Sequence, residues 1–494
     1  MAAKELTREQ EEEKYILLLE LKKRETLRSF YAFLVYFWDV IIPDEYIDNW
    51  HIEYICDELQ ILSDCIINRK PKPYDLIINV PPGSSKSTIA TVMWPVWLWV
   101  HDPGIVILSS SYSSGLSTDH AIKSRDIIRS EKFQELYYEH FIDKCGEPFA
   151  FKRDKDNKTN YGNIFNGERS ITSTGGTVTG KHGHVIIQDD PQKPQEVESK
   201  KARESAIAFN DRTLSSRTKD KENTPRVVIM QRLHEEDLTG HILSKKDNVK
   251  HICLPAELSD KVRPASLSEK YVNNLLDPRR LNNNVLAEAK IDLGSYGYAG
   301  QFGQTPAPAE GGILKKEWFG RIQEEDLPKG LVWDFYIDGA YTKDTNNDPS
   351  GFMAVAYQGN QMYIRSAIER YYELPEALKF IPNWVEEENY SLRSMINIEP
   401  KASGKSMKQM LVKEGGLNVK EIKSKAVQMS KIERAHNAAP ICESGRVHLV
   451  AGNWNKAFLD QVSSFPNAAH DEHVDNLCYA IFDYFLKQKK RKPR

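Results

Sequence analysis

Paired cysteines, a membrane-length apolar run and a charge of one sign are all missing from this 494-residue chain. Cys56, Cys65, Cys145, Cys253, Cys442 and Cys478 stand apart with no C-x-x-C spacing, a pattern that fits neither a disulfide framework nor a zinc site and points to a reducing compartment. The longest apolar stretch, IATVMWPVWLWV at residues 89–100, holds a proline and is too short to cross a bilayer. The opening KELTREQEEEKY carries charges of both signs and leads to no cleavage-like site, so no secretory leader is expected. These absences predict a cytoplasmic protein with no membrane partner. Net charge is only −3, which selects no partner by bulk electrostatics. The tail KQKKRKPR at residues 487–494 is a concentrated exception, readable as a solvated tail or as a nucleic-acid contact.

The length exceeds what one hydrophobic core organises, so two domains are expected. From residue 75 onward short apolar runs alternate with amphipathic ones, the pattern of a parallel sheet with crossover helices. DLIINV at 75–80, GIVILSSS at 104–111, HVIIQDD at 184–190 and RVVIMQR at 226–232 read as strands, and residues 87–100 and 115–129 as helices. A Gly-, Pro- and Ala-rich stretch from residue 292 to 329 reads as a linker. VWDFYIDGAY and SGFMAVAY then open a second alternating region, in which the Gly-Asn of YQGNQMYIRSAIE predicts a hairpin. The fold class expected is α/β.

NVPPGSSKST at residues 79–88 has the order of a phosphate-binding loop but lacks its glycines, with Val80 and Ser85 where G-x-x-x-x-G-K-[ST] demands them. Pro82, Gly83, Ser84, Ser85, Lys86, Ser87 and Thr88 form either a nucleotide loop or an ordinary strand-to-helix turn. A working loop joins backbone N–H groups, a lysine and a helix N-terminus on phosphate oxygens, with a hydroxyl for magnesium. HVIIQDD supports that reading: Asp189 ends its strand as a magnesium ligand, and Asp190 follows as the group that orients attacking water. Gln231 and Arg232 end the next strand on the same sheet edge, where ligands bind in open α/β sheets, and suit a sensor of the γ-phosphate. Arg125 and Arg129, on the helix after the second strand, are arginine-finger candidates.

In the second region Asp338 ends a strand, Asp348 precedes one, and Glu399 ends RSMINIE. HDEHVDNLCYAIFDYFL reads as a helix carrying Asp471 and Asp475 on one side. Each acid alone reads as a surface charge. Together at neighbouring strand ends they would repel unless cations bridged them, and two Mg2+ or Mn2+ ions would make the cluster a nuclease.

With VPPGSSKS, SSSYSSGLSTDHAIKSRDIIRS, TVTGKHGHVIIQDDP, RVVIMQRLHEEDLTGHIL, GQFGQTPAPAEGGILKKEWF, YIDGAYT, DPSGFMAV, INIEPKASG, KIERAHNAAPICESGRVHL and FPNAAHDEHVDNLCYAI in this order, the chain resembles the large subunit of a tailed-phage DNA-packaging terminase over nearly its whole length. The resemblance implies a P-loop ATPase domain of the additional-strand, catalytic-glutamate (ASCE) class followed by an RNase H-like nuclease domain. It implies that Lys86 and Ser87 bind phosphate and metal, Asp189 metal, and that Asp190 takes the catalytic acid's role, as an aspartate where many relatives carry glutamate. Asp338, Glu399 and Asp475 would be the nuclease metal ligands, with Asp348 and Asp471 auxiliary, and Trp50 and His51 would contact adenine. The expected divisions are a helical arm at 1–45, the ATPase domain at 46–300, a linker at 301–330, the nuclease at 331–486 and the basic tail at 487–494.

So read, ATP hydrolysis with Mg2+ drives double-stranded DNA into a procapsid and a two-metal endonuclease cuts the concatemer. The implied partners are DNA, the capsid's portal protein, a small terminase subunit and further copies in a homo-oligomeric ring. The location implied is the host cytoplasm, transiently on the procapsid portal. Two rivals stand beside this reading: a helicase- and resolvase-like repair or recombination enzyme, and a non-enzymatic capsid scaffold. No second lysine-containing phosphate loop serves the first.

Overall fold

Short runs that are apolar on both faces build the first sheet, because a parallel strand is covered by helices on each side. A computed structural model describes residues 7–176, 178, 180–194, 196–306, 312–339, 349–400, 402–423, 425–466 and 471–486; Asp348 and the basic tail at 487–494 lie outside them. The first sheet contains β1 (Asp75–Asn79), β2 (Val106–Ser111), β3 (Phe151–Asp156), β4 (Asn160–Asn163), β5 (Glu168–Ser173), β6 (Val185–Asp189), β7 (Arg226–Met230) and β8 (Val249–Cys253). Their order is β3-β4-β5-β2-β6-β7-β1-β8. The run from β5 to β8 is parallel throughout, and β3 and β4 extend it as antiparallel edge strands. One strand, β7, therefore separates β1 from β6, and the carboxyl ends of all three lie side by side.

Chain division places residues 1–287 and 297–307 in a first unit, and 288–296 and 308–494 in a second. Two amino-terminal helices, Arg8–Arg28 and Phe30–Ile41, belong to the first unit. Phe30, Phe33, Phe37 and Trp38 join Trp94 and Trp97 in its core. Residues 88–101 are not one regular helix: a π-helical segment, Thr88–Met93, runs into the α-helix Trp94–His101.

The second sheet has β9 (Phe319–Ile322), β10 (Trp333–Asp338), β11 (Ser350–Gln358), β12 (Gln361–Arg370), β13 (Ile396–Ile398), β14 (Val419–Glu421) and β15 (Val447–Val450), in the order β14-β13-β10-β11-β12-β15-β9. The β10-β11-β12 meander is antiparallel, and Gly359 at φ +62° turns the hairpin. The flanking pairs are parallel. The stretch that reads as a linker contains β9, two short 3-10 turns at Lys316–Trp318 and Glu324–Asp326, and the end of the helix Asn283–Gln301, which breaks at Gly294. The helix Glu472–Ile481 lies on the meander because β11 carries glycine at 351. A Cβ there would sit 2.7 Å from that of Glu472.

Candidate functional site

Strand register brings the first group of residues together. Asp189 pairs with Ile229 and Asn79 with Met230, so the loop after β1 opens opposite the end of β6. There the Ser87 hydroxyl donates to Asp189 Oδ1 at 2.9 Å, and the Lys86 ammonium lies 3.5 Å from Asp190 Oδ2. Ser85 occupies φ +59° and Gly83 φ +80°, so the missing glycine's backbone conformation is retained by a serine. Asp190 has left the strand conformation at φ +42°. Its N–H donates to Ile229 O at 2.8 Å, and its carbonyl accepts from Tyr112 N–H at 3.0 Å. Burial raises the carboxyl pKa of Asp189 and of Asp190, while the Lys86 charge opposes both shifts.

A hard divalent cation fits this donor set. Ser87 and Asp189 present adjoining oxygens, and Asp189 Oδ2 is fully buried without a hydrogen bond. His120, which no sequence motif marks, places Nδ1 3.3 Å from that oxygen. Burial and the nearby Arg169 charge push its imidazole down to about 4, leaving it neutral at pH 7.

Other residues singled out in the sequence have definite places. His51, at the start of the helix Trp50–Ile67, reaches Ser84 O at 3.3 Å. Trp50 faces the Tyr271 ring at 5.8 Å, with Lys270 over it. Gln231 follows β7 with a buried side-chain oxygen that accepts no hydrogen bond. Arg232 is bound through Nε to Asp237 at 2.9 and 3.1 Å, and Asp237 in turn caps the helix Leu238–Lys245. Arg125 donates to Asn157 O at 3.0 Å and lies over the Tyr161 ring, and Arg129 lies over Phe151. Both arginines thus rest on the β3–β4 hairpin, because the rings of that edge face their helix.

The second group gathers in the other unit. Asp338 ends β10, and Glu399 follows β13 with its N–H donating to Ile337 O at 3.2 Å. Asp475 lies in the first turn of the helix Glu472–Ile481 and is 1% exposed. Asp471 stands at the N-cap position of that helix rather than on its side, with its backbone outside helical geometry at φ −142° and no capping hydrogen bond from its side chain. The Lys431 ammonium bonds Asp471 and lies 3.5 Å from Asp475 Oδ2. Burial alone would lower the Lys431 pKa, but the Asp471 hydrogen bond and the charges of Asp475, Asp471 and Asp338 raise it. Two acids, from the helix's N-cap position and its first turn, thus meet one cation.

Arg434, 4% exposed, donates to Asp475 Oδ1 and, at 2.6 Å, to the Tyr479 hydroxyl, which donates to Glu399 Oε1 at 2.7 Å. Burial raises the Asp475 pKa, with Arg434 and Lys431 opposing it. Among the described residues no group of three or more His, Cys, Asp or Glu side chains is disposed to hold a metal ion. The acids turn instead toward Lys431, Arg434 and Tyr479. The sequence singled out none of these three. Their signal was the i,i+3 spacing of Lys431 and Arg434 and the i,i+4 spacing of Asp475 and Tyr479, each of which puts a pair on one helix face.

Residues 383–483 match the family model of the terminase RNaseH-like domain. No curated protein matches the chain. Among solved structures it is similar to the large terminase of a thermophilic bacteriophage in complex with ADP, at 12% identity and a TM-score of 0.49 over 87% of this chain and 99% of that one. It is also similar to the HK97 bacteriophage large terminase, at 12% identity and a TM-score of 0.37 over 92% and 99%. The human cytomegalovirus terminase nuclease domain, Mn soaked and inhibitor bound, aligns at 11% identity and a TM-score of 0.28 over 37% of this chain and all of that one.

Proposed function

We propose that this chain, whose second unit carries a terminase RNase H-like domain, is a viral DNA-packaging motor that also cuts the DNA it packages. The observation that carries the reading is the Ser87–Asp189 contact beneath Lys86, at the sheet edge of a unit joined to that domain. In the first unit Pro82 opens the loop, and the backbone N–H groups from Gly83 to Thr88 with the Lys86 ammonium bind the phosphates of ATP. Ser87 and Asp189 hold Mg2+, which neutralises developing phosphate charge when bound. Lys86 lies 3.5 Å from Asp190 Oδ2, so phosphate and this carboxylate compete for one ammonium. Phosphate draws the ammonium away, and the freed carboxylate orients the attacking water. Gln231 and Arg232 sense the γ-phosphate, and through Asp237 Arg232 passes its loss to the Leu238–Lys245 helix. Trp50 and His51 border the adenine, with His51 fixed to the loop at Ser84. Arg125 and Arg129 are finger candidates only if they leave the rings they rest on.

In the second unit Asp338, Glu399 and Asp475, with Asp471 beside them and Asp348 outside the described residues, are the side chains that would hold two Mg2+ or Mn2+ ions once they turn from Lys431 and Arg434; metal bound there would supply an activated water and charge stabilisation for phosphodiester cleavage. The partners are double-stranded DNA gripped through its backbone, the capsid portal protein, a small terminase subunit and further copies in a ring. Backbone contacts make DNA affinity fall steeply with salt.

Lys86→Ala is expected to abolish ATP hydrolysis. Asp338→Ala is expected to abolish cutting while leaving ATP turnover at the wild-type rate. Full ATPase activity in Lys86→Ala would overturn the motor assignment, and ATP-independent packaging would do the same.

A further inference from the structure

The π-helical segment Thr88–Met93 follows directly on Ser87, and its irregularity has a cause in the sequence. In an α-helix the Thr91 carbonyl would accept from the N–H four residues on. Residue 95 is proline, which has no N–H and whose ring clashes with that carbonyl. The ladder before the proline is accordingly widened, with Trp94 N–H donating to Ile89 O, five residues back. Thr91 is buried, where an unpaired carbonyl is costly, and its partner comes from the sheet. Arg169, on β5 and 1% exposed, donates through Nη2 to Thr91 O at 2.6 Å. Through Nη1 it donates at 2.6 Å to the hydroxyl of Ser124 on the helix Ser114–Arg129. The Ser124 proton then points onward, and its shortest acceptor is Val92 O at 2.7 Å. One buried guanidinium thus fixes two successive carbonyls of the widened segment, the first directly and the second through a hydroxyl.

We propose that Arg169 is a positioning residue of the nucleotide site: by holding the carbonyls of Thr91 and Val92 it keeps the Thr88–Met93 segment in its widened register, which sets where Lys86 and Ser87 meet the phosphates. The inference rests on the ATPase reading above. The loop is tied to the start of this segment, where Ile89 N–H donates to Ser85 O at 3.0 Å. A π turn encloses one residue more than an α turn, so closing the segment to the α register shifts the residues before the proline relative to those after it. The loop must shift with them. A planar fork on a long stem meets a carbonyl and a hydroxyl together, which a lysine ammonium would not do in the same geometry. The same buried charge favours the Asp189 carboxylate against its burial.

Two variants separate positioning from mere support. Arg169→Met keeps the length of the stem and leaves Thr91 O without its donor. Pro95→Ala supplies the missing N–H, so the segment closes toward the α register with its carbonyls paired inside the helix. Both are made in the full chain and compared by thermal unfolding, steady-state ATP hydrolysis and calorimetric ADP binding. Arg169→Met is expected to lower the unfolding temperature and to cut kcat/KM for ATP on the order of tenfold to a hundredfold. Pro95→Ala is expected to unfold at the wild-type temperature or above and still to lose on the order of tenfold in kcat/KM, with the ADP Kd raised. A purely structural role makes activity follow stability and leaves Pro95→Ala fully active. Wild-type kcat, KM and ADP Kd in Pro95→Ala, or in a folded Arg169→Met, would overturn the inference. A wild-type protein that hydrolyses no ATP, or a Lys86→Ala variant that hydrolyses it at the full rate, brings down the ATPase reading itself.

Discussion

Ser85 pays for its place in the phosphate loop: its backbone sits at φ +59°, a region that costs a side chain-bearing residue roughly 1–2 kcal/mol. Glycine relieves that strain but loses about 0.5–1 kcal/mol to unfolded-chain entropy. Ser85→Gly is therefore expected to stabilise the protein by about 0.5 kcal/mol in urea unfolding and to keep ATP binding. Ser85→Val, β-branched at the same φ, should destabilise it and weaken ATP binding. Equal stability of the three proteins would show that the loop does not hold this conformation in solution. The same contrast explains what could be read at this scale. Lys86, Ser87 and Asp189 announce themselves because each follows or ends a recognisable strand, and strand ends in a parallel sheet share one edge. Arg434 and Tyr479 do not, because their meaning lies in contacts to Asp475 and Glu399 made across 41 and 80 positions of sequence. Nor does His120, whose neighbour Asp189 is brought to it only by the packing of the Ser114–Arg129 helix on the sheet.

Among elements, the pairing of β11 with the helix Glu472–Ile481 decides whether the second cluster forms. Asp338 pairs with Gly351 across the meander, and the helix that carries Asp475 passes directly over that glycine. A methyl at 351 would meet Glu472 Cβ at 2.7 Å and Asn476 Nδ2 at 3.0 Å, so the helix must lift. Gly351→Ala is expected to cost about 1–3 kcal/mol in stability and to lower DNA cutting by displacing Asp475, with ATP hydrolysis preserved. Cutting at the wild-type rate would show that the helix tolerates the shift. Strands with long apolar runs, such as β1, β6 and β7, were legible because burial on both faces requires such runs. β9 was not, being four residues whose partner β15 lies far along the chain. The helix Asn283–Gln301 was hidden as well, since Gly294 at φ +66° interrupts its periodicity.

For the molecule as a whole, titration sets the conditions under which the first unit stays folded. Burial is the main cause that pushes His51, His101 and His251 of that unit down to about 4 from 6.5. Between those values the unfolded chain binds protons that the native state refuses, so stability falls as pH drops through 6.5 and levels off below about 4. The slope is up to about 1.4 kcal/mol per pH unit for each histidine. Asp189 and Asp190 act in the opposite sense, because burial raises their pKa and the native state then holds protons that the unfolded chain has lost. The net slope mixes the two signs, and only a difference between proteins separates them. The His251 Nε2–H donates to Asn79 Oδ1 at 2.8 Å, at the last residue of β1. Glutamine spans the same gap without titrating. In His251→Gln, urea unfolding measured from about pH 7 to about pH 4 is expected to lose up to about 1.4 kcal/mol per pH unit of slope relative to wild type, while the carboxylate contribution cancels. Parallel curves for the two proteins would mean that His251 takes up its proton in the folded state, and that acid lability of the first unit has another source.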